Sequence, residues 1–241
     1  MFKFITLLFI ITNTNAQTCI AHRANGGPGP ENSQEALEYA IDQGFDGVEF
    51  DIQFSKDGVP FLYHDKKIGN NLVGRQCPKG EKIKKLNYAQ FSKQCSLTNG
   101  SPLMSFEDAL KTLSTYEGHI FIDLKQKASA QFLELFDHST LLNNSKVRFI
   151  SFKRKALRPL KKRWPQIEST LLSLYFPRGL FYEGVGFNKR LNLITGLFRL
   201  LGKNLSIWTL NQESEIKKAF EKKADFIITD DYDLCFRLLP R

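Results

Sequence analysis

Residues 47–64 read GVEFDIQFSKDGVPFLYH. Val48, Phe50, Ile52 and Phe54 alternate with Glu49, Asp51 and Gln53, which is the period of a β-strand over Gly47–Phe54. Lys56-Asp57-Gly58 is a turn signal, and Pro60–His64 is the expected second arm of a hairpin. In a strand, side chains i and i+2 point the same way, so Glu49 and Asp51 share one face and Phe50 takes the other. Two carboxylates facing an interior repel each other and lose hydration. A divalent cation resolves this, and hard oxygen donors suit Ca²⁺ or Mg²⁺ better than zinc. The alternative is a buried ion pair with lysine or arginine.

Outward from this hairpin, short apolar runs alternate with helical stretches. The other expected strands are Cys19–His22, His119–Leu124, Val147–Ser151, Thr170–Leu174, Gly184–Asn188, Ser206–Thr209 and Phe226–Thr229. The expected helices are Ser33–Gln43, Phe106–Ser114, Ala128–Leu135, Lys153–Arg163, Leu193–Leu201 and Gln212–Lys223. Asn32 is the expected cap of the first and Gly44 its terminator; Ser105 is the expected cap of the second. Pro159 is expected to kink or split the basic helix. With the hairpin counted as one unit, about eight strand–helix repeats result, which predicts an α/β fold, a (β/α)8 TIM barrel, as a single domain.

The polar residues fall where a barrel places its chemistry. His22, Glu49, Asp51, His64, Asp123, Lys125, Ser151, Trp208 and Asp230 lie in or just after strands, and barrel sites gather at the strand C-terminal ends. His22-Arg23 and His64-Asp65 each close an apolar strand, so both histidines are candidate acid/base groups. Arg23 is a natural bidentate phosphate ligand. Asp123-Leu124-Lys125 repeats the alternation, giving a third carboxylate and a cation suited to a phosphate oxygen. His119 and His138 read as structural.

Composition sets the remaining bounds. The chain has 241 residues, a length that one barrel fills. With 42% hydrophobic and 24% charged residues it is an ordinary globular composition. Residues 1–16 read as a signal peptide: Met1–Lys3, an apolar Phe4–Ile11 and a small-residue end at Ala16. This leaves the domain at 17–241 and predicts a secreted or periplasmic protein, with disulfides permitted. The four cysteines allow three pairings. Cys77 and Cys95 flank one loop-rich segment and are the favoured pair, leaving Cys19 with Cys235. The formal charge of +9 favours anionic partners. Much of it lies in Lys153–Arg163, which reads as a solvated helix face or as a contact for an anionic membrane surface. No basic module with interleaved aromatics is present, so no nucleic-acid partner is expected.

Taken together, these residues resemble the glycerophosphodiester phosphodiesterase family. The match runs through His22-Arg23, Pro30-Glu31-Asn32-Ser33, Gly47–Asp51, Lys56-Asp57-Gly58 and His64-Asp65. It continues through Phe121–Lys125, Ser151-Phe152, Ile207–Asn211 and Ile227–Asp230, nearly the whole chain after the leader. The resemblance implies Glu49, Asp51 and Asp123 as metal ligands and His22 and His64 as the catalytic acid/base pair. It implies Arg23 and Lys125 as phosphate-binding groups and Trp208 as a pocket wall, with Glu31 touching the metal site or bracing the loop. Two departures stand out. Ala24 replaces the usual glycine after His-Arg, where an altered backbone shape is expected, and Asp123 replaces the usual glutamate. The segment between His64 and Ser105 holds no large inserted domain, which predicts an open mouth.

The implied reaction is metal-dependent hydrolysis of a small glycerophosphodiester to glycerol 3-phosphate and an alcohol. A lysophospholipase D or cyclising phospholipase is the alternative enzyme, with Leu193, Ile194, Leu197, Phe198, Leu200 and Leu201 as its candidate apolar surface. A non-catalytic binding protein on the same barrel is the other alternative, favoured by Ala24 and Asp123.

Overall fold

The computed structural model describes residues 17–174, 181–188 and 195–240, leaving aside the side chains of 195–197. β1 (Thr18–Ala21) leads through a tight turn at His22–Ala24 to α1 (Gln34–Asp42). β2 (Gly47–Phe54) and β3 (Pro60–Leu62) form the predicted hairpin, antiparallel with Ile52 opposite Leu62. Then come β4 (Leu72–Val73), α2 (Tyr88–Gln94), β5 (Ser96–Leu97) and α3 (Phe106–Thr112). The remainder alternates: β6 (His119–Leu124), α4 (Ala130–Asp137), β7 (Val147–Ser151), α5 (Arg154–Arg163), β8 (Glu168–Ser173) and β9 (Gly184–Asn188). It ends with α6 (Thr195–Leu200), β10 (Asn204–Trp208), α7 (Glu213–Glu221), β11 (Phe226–Thr229) and α8 (Tyr232–Arg237).

The parallel strands pair in the order β1-β2-β6-β7-β8-β9-β10-β11 and close where β11 pairs with β1. The expected (β/α)8 barrel is therefore the fold. β3 lies outside the ring as an antiparallel edge on β2. The β8–β9 connection carries no helix among the described residues.

Alternation along each strand divides the core in two. Val48, Phe50 and Ile52 of β2 point outward and join the layer between barrel and helices. In that layer Phe132, Phe136, Phe149 and Trp164 pack ring to ring, with centroids 4.7–6.3 Å apart. Burying one such side chain contributes roughly 1.5–3 kcal/mol, so the helices are held on chiefly by aromatic area. Inside the barrel, Ile20, Phe121, Ile150, Leu172, Phe226 and Ile228 form an apolar belt.

At the N-terminal ends of the strands this belt is closed by a polar plug. Arg148 Nε donates to Glu168 Oε2 at 3.0 Å, and its Nη1 lies 2.9 Å from His119 Nδ1. The Arg148 guanidinium sits 4.5 Å from the Phe226 ring centroid.

The second hairpin arm and the segment after it share a core of their own. Phe61, Tyr63, Ile68, Leu72, Ile83, Phe91, Leu97 and Leu103 cluster apart from the main core, and Cys77 is disulfide-bonded to Cys95 among them. The loop-rich reading missed this satellite, although it had the staple. The second disulfide joins Cys19 of β1 to Cys235 of α8, the other favoured pairing.

Three local expectations need correction. α5 runs through Pro159 as one helix: Ala156, Leu157 and Leu160 bury one face and hold it across the missing hydrogen bond. Ser33, not Asn32, caps α1, its Oγ accepting from Ala36 N at 3.0 Å. β8 and β10 begin two residues earlier than expected, at Glu168 and Asn204, because these polar residues bond to each other at the plug. Gly44 ends α1 with φ +65°, and Ser105 caps α3 by accepting from Asp108 N, both as expected. Among the described residues no helix is long and apolar enough to cross a membrane. The expected signal peptide lies at residues 1–16, outside the described residues.

Candidate active site

β2 and β6 run side by side with Asp51 opposite Asp123. Glu49, two residues before Asp51, shares its inward face. One oxygen from each of Glu49, Asp51 and Asp123 lies within 4.8 Å of the others, and all three residues are buried. Burial, then the charge of Asp51, raises the pKa of Glu49, and burial raises that of Asp123. Burial acts on Asp51 too, but Lys125, His64 and Arg23 outweigh it and hold Asp51 below the usual carboxylate range.

The ion-pair alternative is half realised. Lys125 Nζ lies 2.6 Å from Asp51 Oδ1 and 2.5 Å from Asp123 Oδ2, and Arg23 Nε lies 3.4 Å from Asp51 Oδ2. Two cations thus serve three carboxylates, and Glu49 takes only the Arg23 backbone N–H, at 2.9 Å. Asp123 Oδ1 is buried with no hydrogen-bond partner. A hard dication fits this donor set: it supplies the missing partner and offsets the remaining negative charge.

The turn after β1 presents Arg23 to this cluster. Arg23 and Ala24 take left-handed φ values of +54° and +58°. Each costs a non-glycine residue roughly 1–2 kcal/mol, and such strain gathers at functional sites. Ala24, fully buried, thus takes a left-handed φ without a glycine's freedom. Arg23 Nη1 donates to Glu31 Oε2 at 2.8 Å, so Glu31 braces the arginine. Asn32, also left-handed at φ +57°, donates from Nδ2 to Asp51 Oδ2 at 2.9 Å and accepts from Asp51 N at 3.0 Å. Its expected capping role failed because its side chain is committed to Asp51.

The two histidines flank the carboxylates, and each is held at Nδ1 by an aspartate. His22 Nδ1 lies 2.6 Å from Asp230 Oδ1, and His64 Nδ1 lies 2.8 Å from Asp65 Oδ1. Such a bond fixes the ring and leaves Nε2 for chemistry. Burial lowers the His22 pKa, but the Asp230 bond and the charge of Glu49 outweigh it, and the net shift is upward. The bond to His22, with help from Asn211 and Asn25, pulls Asp230 down to about 2. Asn211 holds Asp230 from the other side, Nδ2 to Oδ2 at 2.7 Å. Sequence reasoning placed Asp230 and Asp65 at strand ends without assigning them; the adjacent His64-Asp65 was the visible signal, whereas His22 and Asp230 are 208 positions apart.

Trp208 ends β10 with its ring edge-on to Phe152, centroids 5.2 Å apart, and with its buried Nε1 unpartnered. Phe152 lines a cavity of about 610 Å³ that also includes His64, Asp123, Lys125 and Ser151. Trp208 thus backs the cavity through Phe152.

The chain matches the Glycerophosphoryl diester phosphodiesterase family over residues 22–234. It belongs to that family. Glycerophosphodiester phosphodiesterase 1 of Mus musculus is 32% identical over 137 residues, which cover 54% of this chain and 41% of the mouse protein. The chain thus spans about two fifths of the length of that mammalian relative. A glycerophosphodiester phosphodiesterase of Caldanaerobacter subterraneus subsp. tengcongensis is 26% identical over 243 residues, 92% of this chain and 97% of the relative. Among solved structures, an Oleispira antarctica phosphodiesterase in complex with the product sn-glycerol-3-phosphate superposes with a TM-score of 0.81. It is 22% identical, with 92% of this chain and 96% of that chain covered. A glycerophosphodiester phosphodiesterase of Parabacteroides distasonis superposes with a TM-score of 0.79 at 21% identity, covering 93% and 97% of the two chains. These likenesses establish the barrel. His22, Arg23, Glu49, Asp51, His64, Asp123 and Lys125 come together at its C-terminal mouth.

Proposed function

We propose that this chain hydrolyses glycerophosphodiesters to glycerol 3-phosphate and an alcohol. The observation that carries the reading is the pair of aspartate-oriented histidines on either side of three converging buried carboxylates. Glu49, Asp51 and Asp123 would hold a divalent cation, Ca²⁺ or Mg²⁺, which when bound supplies Lewis-acid polarisation of a phosphate oxygen. Arg23 and Lys125 bind the remaining phosphate oxygens and offset the charge that grows there. One histidine takes the proton from the attacking hydroxyl, which the family resemblance makes the substrate's own glycerol hydroxyl. The new O–P bond forms as the bond to the alcohol breaks, and the other histidine protonates the departing alcohol. Water then opens the cyclic phosphate with the two roles reversed.

The test is release of glycerol 3-phosphate from several glycerophosphodiesters with Ca²⁺ or Mg²⁺ present. Turnover that stops in excess EDTA and returns with the cation is expected. Full activity in EDTA would remove the metal role of the carboxylates.

Two disulfides persist in an oxidising compartment, which supports a secreted or periplasmic location. The basic side of the mouth suits contact with an anionic membrane surface.

One observation favours the lipid-directed alternative. Phe152 and Leu174, after β7 and β8, are 42% and 46% exposed at the mouth. Of the residues expected to give acyl contact, the described ones lie away from that surface. Phe198 is core, and Leu200 and Leu201 precede β10 at the opposite rim. Leu193, Ile194 and the side chain of Leu197 lie outside the described residues. Comparing glycerophosphocholine with lysophosphatidylcholine separates the two activities.

A further inference from the structure

We propose that the cavity on the His64 side of the site takes an alcohol portion bearing its own negative charge, so that diesters with a second anionic group are preferred over those ending in choline. The inference rests on the hydrolase activity proposed above and goes further, to the substrate's head group.

The cavity of about 610 Å³ has the size of a small-molecule site. Its charged lining is unbalanced. Lys125 is committed to Asp51 and Asp123, and Asp65 to His64. Lys66, Lys67 and Lys153 remain, and among the described residues none of them forms an ion pair with a carboxylate. Lys66 lies close enough to Lys153 to disfavour its charge, an effect second to Lys153's partial burial. An anion between them relieves that repulsion; a quaternary ammonium adds to it.

The lysines stand on ordered backbone. Lys66 O accepts from Ile83 N at 3.0 Å, and Lys67 O accepts from the Tyr63 hydroxyl at 3.3 Å. Lys153 N donates to Ser151 Oγ at 3.1 Å, and its Nζ donates to Lys125 O. Lys66 and Lys67 therefore come from the stapled satellite and Lys153 from the mouth of β7, with the space between them. Across the cavity Phe152 offers one partly exposed ring, held edge-on by Trp208. One exposed ring is a weaker attraction for a cation than an aromatic cage, and it shares the cavity with Lys66, Lys67 and Lys153, of which only Lys153 is partly offset, by Asp123.

The experiment compares kcat/KM of the full chain, with its cation present, for glycerophosphoinositol 4-phosphate, glycerophosphoinositol and glycerophosphocholine. The first two differ only by the added phosphate. The expected result is a preference of about tenfold for the phosphorylated head group at low salt, a modest value because the lysines are exposed. The preference shrinks toward parity at roughly 1 M salt, where screening acts over about 3 Å. Choline is the slowest of the three. In the double variant Lys66→Glu with Lys153→Glu the order of the two inositol substrates inverts. Equal rates for the two inositol substrates, or a preference indifferent to salt, overturn the subsite whether or not the double variant folds. Turnover without charge preference leaves the hydrolase reading intact, whereas no turnover of any diester removes both.

Discussion

His22 and His119 sit at opposite mouths of one barrel, each beside an arginine, and their surroundings push them in opposite directions. At the C-terminal mouth, Asp230 and Glu49 outweigh the burial of His22 and favour its protonated form. At the N-terminal mouth, burial and the charges of Arg148 and Lys146 lower His119 to about 4, so it stays neutral. The apolar belt of Ile20, Phe121 and Phe226 lies between the two. The lesson concerns partners rather than residue types. The upper mouth gathers three carboxylates and leaves Asp123 Oδ1 unsatisfied, as a site awaiting a ligand does. The lower mouth satisfies its charges internally, as a structural plug does.

The largest expected difference between the mouths is in catalysis. His22→Ala and His64→Ala should each lower kcat/KM by ~10²–10⁴-fold with circular dichroism unchanged. His119→Gln should leave kcat/KM within about twofold, because nothing at the plug touches substrate. A large kcat loss in His119→Gln would break the comparison.

Stability should behave the other way. Glu168→Gln strips the partly buried Arg148 of its carboxylate and should cost about 3 kcal/mol in urea unfolding. A cost near zero would mean that the plug is hydrated rather than structural.

Acid tests the lower mouth through the difference between the wild-type chain and His119→Gln, because the raised Glu49, Asp123 and His22 of the upper mouth titrate in both. The folded pKa of His119 lies below its unfolded value of about 6.5. The folded state thus binds fewer protons between the two values. The stability linked to neutral His119 is complete above pH ~6.5 and is lost as pH falls toward about 4, to the extent of roughly 2–3 kcal/mol. His119→Gln should flatten the urea-midpoint profile in that window. An unchanged slope would reassign the acid sensitivity to other groups.

The smallest effect concerns the strained turn at the upper mouth. Ala24→Gly relieves a positive φ but removes a fully buried methyl and loosens the unfolded chain. These terms nearly cancel, so a change within about 1 kcal/mol is expected by thermal unfolding. A stabilisation well beyond that would show that the strain at this turn is larger than its φ alone suggests.

The barrel was legible because its strands are apolar runs of ordinary length with turn residues between them, as in β2, β6 and β7. The carboxylates were legible because Glu49 and Asp51 interrupt an apolar strand two positions apart. The satellite was not. Its strands β4 and β5 are two residues long, and its core draws single residues such as Ile68, Ile83 and Phe91 from irregular chain. No periodicity marks such a core. The Asp230 partner of His22 was hidden for another reason: only closure of the barrel brings the first and last strands together, and closure is not a local property. Asn32 was misread because a side chain able to cap a helix can equally bind a carboxylate, and the deciding partner, Asp51, comes from another strand.

The Cys19–Cys235 bond has a consequence for the polymer itself. It ties the first strand to the last helix across 216 positions, at the seam where β1 meets β11. Between these cysteines the polypeptide is a covalent hoop. In the chain-entropy picture such a loop disfavours the unfolded ensemble by of order 5 kcal/mol, so the joint where the chain starts and stops gains a bond that the neighbouring strand pairs lack. A single cut at an exposed tip such as Asn99-Gly100 would open this hoop, yet the two pieces would remain one covalent molecule through the same bond.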